Sequence, residues 1–149
     1  MIISTFMYAN QQKRFPNIME KLAIIQDESG NKVVLIPNII FINKQNIDWN
    51  GVETYLKRYV GEIVAMTESK DIIYLGKDFP DEYTGSKYTR KTKGARAKAK
   101  ANAVQGIREM VEIATNKTFY NNHKTKHNSD AKNGWLLLYY TFCTSNLRQ

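Results

Sequence analysis

Hydrophobic and polar positions alternate in short runs along the first half of the chain and stretch to helical spacing in the second. Lys21–Gln26 and Lys32–Ile36 are apolar, β-branched runs separated by Asp27-Glu28-Ser29-Gly30-Asn31, a pattern that predicts a β-hairpin with a longer loop. Pro37 ends the second run or places it at a sheet edge, and Ile39–Ile42 is expected to continue as a bent strand. Asp48 is a natural N-cap for a helix whose Val52, Leu56, Tyr59 and Val60 recur at helical spacing, with Gly61 as its stop. Glu62–Met66 and Asp71–Leu75 read as two more short strands.

Residues 76–86 hold Gly, Pro and Asp punctuation with two aromatics. They read first as a surface connection pinned by Phe79 and Tyr83, with a ligand loop as the alternative. From about Thr89 to Ala114 the expectation is a long helix with one apolar stripe: Ala95, Ala99, Ala103, Ile107, Met110 or Val111, and Ala114. That stripe would pack on a sheet and leave Arg96, Lys98 and Lys100 on an outward flank. Gly94 and Gly106 each weaken the helix by roughly 1 kcal/mol relative to alanine, so a break near Gln105-Gly106 is the alternative to one continuous helix. Residues 119–130 are polar and basic. Trp135–Phe142 is an apolar, aromatic run, either a buried strand or an exposed tail. The first eighteen residues lack a basic start and a small-residue cleavage site, which argues against a signal peptide. They are read as an N-terminal extension, with Met19 a second possible start and residues 19–149 one domain. The fold expected is α+β: a small antiparallel sheet with a packed helix, followed by a long basic helix.

Charge changes this picture most. The 149 residues hold 22 Lys and Arg against 14 Asp and Glu, for a net +8. Residues 1–82 contain nine basic and eleven acidic side chains (−2), and residues 83–149 contain thirteen and three (+10). Between Tyr83 and Ala101 stand seven cations and no anion: Lys87, Arg90, Lys91, Lys93, Arg96, Lys98 and Lys100. An ordinary solvated helix face carries acid–base pairs at i,i+4, and this one has none. Such a block attracts polyanions or an acidic protein face. With 42% hydrophobic and 24% charged residues the composition is that of a globular chain. No apolar run approaches the roughly 18 residues of a membrane span, so a cytoplasmic protein without a membrane partner is expected. One cysteine, Cys143, excludes an internal disulfide framework and a cysteine-rich zinc module.

Candidate chemistry is sparse. Dinucleotide, phosphate-loop and HEXXH patterns are all missing. Cys143 has no thiolate-activating neighbour in sequence and reads as a small structural residue. His123 and His127 at i,i+4, with Asp130 beyond, have metal-like spacing, but Lys124, Lys126 and Lys132 would repel a dication, so no metal or cofactor is expected. His127 beside Lys124 and Lys126 has the composition of a metal-independent ribonuclease site, with a base near neutral pKa and cations for the phosphate; a solvated surface histidine is the plainer reading. Tyr83, Tyr88, Phe119 and Tyr120 lie near the basic stretches and are either base-stacking rings or core anchors.

Several stretches also form a recognisable set: Asp71-Ile72-Ile73-Tyr74, Gly76 through Tyr83, Gly85-Ser86-Lys87, Lys98 through Ala103, Glu112-Ile113-Ala114, Asp130-Ala131-Lys132 and Gly134-Trp135. Together with the hairpin from Met19 through Trp49, they resemble a family of uncharacterised proteins carried by Firmicute phages and other mobile elements. The likeness covers about residues 19–135. It implies a continuation similar to the barnase–EndoU–colicin–RelE (BECR) nuclease core, which would be missing here. Only His127 and its basic neighbours carry over as site candidates. After Trp135 the text departs from the family, and Leu136 through Cys143 is reachable by a one-base frameshift, so a truncated chain is expected. A gene lacking any family-like continuation in another frame would refute this. A tail without its partner strands would pair with a second copy, giving a homodimer through the C-terminal apolar strand. The function expected is that of a mobile-element protein that binds nucleic acid, or a nucleic-acid-processing protein, through its basic helix and without catalysis. An anti-CRISPR-like inhibitor of a host defence nuclease and a metal-independent ribonuclease are the alternatives.

Overall fold

The computed structural model describes residues 2–8, 21–43, 45–120 and 135–144. The hairpin forms as its sequence predicts. Strands β2 (Ala23–Gln26) and β3 (Lys32–Ile36) pair antiparallel. Asp27 Oδ1 accepts the backbone N–H groups of Ser29 and Asn31 at 2.9 Å each, and Gly30 supplies the left-handed residue of the turn at φ 81°. Val33 through Ile36 are all buried, as a run covered on both faces must be.

Asp48 caps α1 (Trp49–Leu56) by accepting the Gly51 N–H at 3.0 Å. A short 3₁₀ turn follows, and β4 (Ile63–Ala65) and β5 (Ile72–Tyr74) then pair as a separate two-stranded sheet. Residues 39–42 form no strand. The backbone there is instead tied to a side chain, that of Asn102, whose Oδ1 accepts Ile40 N–H at 2.8 Å and Phe41 N–H at 3.0 Å.

The remaining helices are α2 (Phe79–Gly85), α3 (Lys87–Lys91), α4 (Gly94–Ala103) and α5 (Ile107–Ile113). The expected surface connection at 76–86 is therefore largely helix. Its Pro80 lies in the first turn, where no N–H is needed, and Asp81 and Glu82 favour the positive end of the helix dipole. What reads as loop punctuation is a helix start. Likewise, the expected helix from Thr89 is divided at Thr92-Lys93, and Gly94 turns the chain at φ 62°. A 3₁₀ turn at Val104–Gly106 separates α4 from α5. A Cβ on Gly106 would lie 2.7 Å from Ile36 Cδ1 and 2.8 Å from Val34 Cγ1, so glycine here permits close helix–strand approach.

The main sheet is mixed rather than purely antiparallel. Strand β7 (Trp135–Thr144) pairs in parallel with β1 (Ile2–Tyr8) on one side. On the other side β6 (Thr115–Tyr120) pairs antiparallel with its first part, and β3 pairs parallel with residues 142–144. Two expectations change accordingly. The start of the chain is a sheet strand rather than an appendage, although residues 9–20 lie outside the described residues. The C-terminal aromatic run is interior to the sheet and has neighbours on both sides, so it is not an open edge for pairing with a second copy.

The α4–α5 unit is the middle layer. Ala97, Ala101, Val104 and Ile107 face one apolar cluster with Val52, Leu56, Val64, Met66, Ile73 and Leu75. Ala99, Ala103, Met110 and Ile113 face a second cluster with Val34, Ile36, Tyr140 and Phe142 from the sheet. A helix between two apolar layers needs small residues on both sides, which the alternating alanines supply. The single stripe expected for this helix is replaced by two, and Ala95 belongs to neither because it is exposed.

Candidate nucleic-acid interface

The cationic segment begins where α2 meets α3. Ser86 caps α3 by accepting Thr89 N–H at 3.1 Å. Thr89 is fully buried, and its hydroxyl donates to Tyr83 O at 2.7 Å, which leaves Ser86 Oγ as donor across their 2.9 Å contact. Thr89 is the buried side chain of this short helix. Lys87, Tyr88, Arg90 and Lys91 are left exposed around it, and Lys93 and Arg96 are exposed just beyond. Tyr88 is 86% exposed among these cations, so it is no core anchor. Tyr83 is one: it is buried, its ring meets Phe79 edge-on at 6.0 Å, and its hydroxyl donates to Lys100 O at 2.7 Å.

Of Arg96, Lys98 and Lys100, expected on an outward flank, the two lysines turn inward instead. Lys98 is 4% exposed, on the side of α4 that carries Asn102 one turn later. The Lys100 ammonium donates to Thr89 Oγ1 and lies 4.7 Å from the Tyr83 ring centroid. The cause is the middle-layer position of α4, which leaves little of its circumference to solvent. Burial lowers the Lys100 pKa from an ordinary 10.5 to about 8. An unfolded chain then binds more protons than the folded one above pH 8, so this group makes stability rise with pH. Burial pushes the Cys143 thiol and the Tyr59 and Tyr83 hydroxyls upward, and these pull the other way above about pH 9. Between about pH 8 and 9 the thermal midpoint of the protein is expected to climb relative to that of Lys100→Met. Parallel curves for the two proteins would show the ammonium to be solvated.

Among the described residues, no carboxylate lies within ion-pairing distance of Lys87, Arg90, Lys91, Lys93 or Arg96; the ion pairs present are Lys57–Glu53 at 3.1 Å and Arg108–Glu62 at 3.3 Å. Arg90 and Lys93 also border a groove of about 270 Å³ that no sequence pattern indicates. Its opposite wall is the loop running into α1, with Gln45, Asn46 and Trp49, and its floor is Ile47 and Ala97. That wall is held in two places. Asn43 Oδ1 accepts the N–H groups of Gln45 and Asn46 at 3.0 and 3.2 Å, and buried Asn102 binds the backbone at residues 40 and 41.

Lys124, Lys126 and His127 lie outside the described residues, as do His123 and Asp130, so the proposed ribonuclease and metal constellations have no described geometry. Among the described residues no three His, Cys, Asp or Glu side chains cluster as metal ligands, and no helix is long and apolar enough to cross a membrane. Cys143 is half-buried in β7, with its thiol held above the ordinary range, which fits a structural residue. No protein-family model, curated protein or solved structure matches the chain.

Proposed function

We propose that the protein binds nucleic acid through the exposed cations of α3 and the α3–α4 junction, as a binding protein rather than an enzyme. The observation that carries this reading is the set Lys87, Arg90, Lys91, Lys93 and Arg96, all exposed and without ion-pair partners among the described residues. A surface built only for solubility mixes both signs, whereas unneutralised cations gain most from displacing the counterions of a phosphate backbone.

The affinity for a mixed-sequence oligonucleotide is expected to fall linearly with salt on logarithmic axes. The slope gives about 0.7 to 0.9 per phosphate contacted. The triple change Lys87→Gln, Lys91→Gln and Arg96→Gln should flatten that slope by about two to three for the three contacts removed. An unaltered slope would refute the reading.

A second reading, contact with a nucleic-acid-processing protein as an inhibitor would make it, is favoured by the outer face of the β4–β5 sheet. Ile63, Ile72 and Tyr74 are exposed there by 62%, 71% and 63%, and Ile63 pairs directly with Tyr74. Adjacent exposed apolar side chains of this size are a common mark of protein contact.

A further inference from the structure

We infer that the groove between the 45–49 loop and the α3–α4 junction seats one unstacked nucleotide, which makes the ligand single-stranded rather than duplex. This rests on the nucleic-acid reading above and narrows it. A volume of about 270 Å³ admits one protruding group, not a helix. Its contents are those of a single-strand site in which each part of a nucleotide finds a matching surface. Trp49 is partly exposed and borders the groove beside buried Ile47 and Ala97, an aromatic and apolar lining suited to the flat face of a base. Gln45 and Asn46 offer exposed amides, which both donate and accept and so meet a base edge. Arg90 and Lys93 stand across the groove as partners for a phosphate.

Both walls are held by hydrogen bonds within the protein. Trp49 is the first residue of a helix capped by Asp48, and the amides follow an Asn43 turn. On the other wall, Arg90 belongs to a helix fastened by buried Thr89. A site whose opposing walls are fixed by separate hydrogen-bond sets loses little conformational freedom on binding. Duplex DNA or RNA presents its bases stacked and paired, so none could enter without being extruded first.

The test compares a short unstructured oligonucleotide with a duplex of the same sequence, using the full chain and fluorescence anisotropy across a salt series, with the two forms compared at matched salt. The single strand is expected to bind at least about tenfold more tightly, the scale of one base stacked on an aromatic ring. Trp49→Ala should remove most of that preference, with its fold checked by circular dichroism. Because Trp49 also touches the core, the double change Arg90→Gln and Lys93→Gln gives an independent arm on exposed side chains. It should lower the single-strand salt slope by about 1.4, two contacts at 0.7 each. Equal affinity for both forms, or a preference that survives in both variants, overturns the groove assignment and leaves the cationic interface standing. Failure of either form to bind removes the nucleic-acid reading and the groove with it.

Discussion

Phe142→Ala is expected to lower the free energy of unfolding by about 3 to 5 kcal/mol, the range for emptying a buried aromatic site. Phe142 is 1% exposed and stands in β7 where that strand pairs with Tyr8 on one side and Val34 on the other. Its ring belongs to the cluster of Val34, Ile36, Ala99, Ala103 and Met110. Two of these are alanines on a helix already drawn close to the sheet at Gly106, so the helix cannot settle further into the vacated space. Total stabilities of domains are about 5 to 15 kcal/mol, and the variant would therefore lose a large fraction of its own. Urea titration followed by circular dichroism measures it, and Phe142→Leu should cost less because much of the volume is kept. A loss below about 1 kcal/mol for the alanine variant would mean that β7 does not run through the middle of the sheet.

Asn102→Ala is the second large effect, about 2 to 4 kcal/mol, and it acts through polar groups. The Asn102 side chain accepts Ile40 and Phe41 N–H and donates to Phe41 O at 3.0 Å and Lys98 O at 2.8 Å. It has no exposed surface, so deleting the amide leaves the backbone of residues 40 and 41 without partners beside a packed helix. Native-state hydrogen exchange gives a local readout. The Ile40 and Phe41 amides should lose protection in the variant by more than the global change in stability. Protection that falls only with global stability would show that other contacts hold this loop.

The sequence discloses these elements unequally. The β2–β3 hairpin, the Asp48 cap, and β4 and β5 were legible because each depends on local chemistry: a turn, a cap, a short apolar run. The strand expected at 39–42 failed for the opposite reason. Its backbone partner is Asn102, some sixty positions away, and no local signal reports it. The inward turn of Lys98 and Lys100 was hidden likewise, since counting cations takes no account of which sides of a helix are covered. Alanine at every second position from 95 to 103 is the missed clue. At 100° per residue that spacing spreads small side chains around the helix, as a helix enclosed by neighbours requires. The groove was beyond reach of the sequence because its two walls, residues 45–49 and 90–93, meet only after folding. Of the candidate site, five of the cations stand exposed as expected, and their aromatic and amide counterparts had no sequence signature.

The place of β7 also dictates the order in which the protein can be made. Strands β1, β3 and β6 all precede it in the chain and share it as their common neighbour. While the ribosome is still translating residues 121–134, β1 and β6 have no neighbouring strand and β3 has only β2. The apolar Val33–Ile36 stretch must then wait in a half-assembled nascent chain. Contacts between residues this distant in sequence slow folding and prolong the exposure of sticky surface. The sheet therefore closes only once β7 has joined its three neighbours.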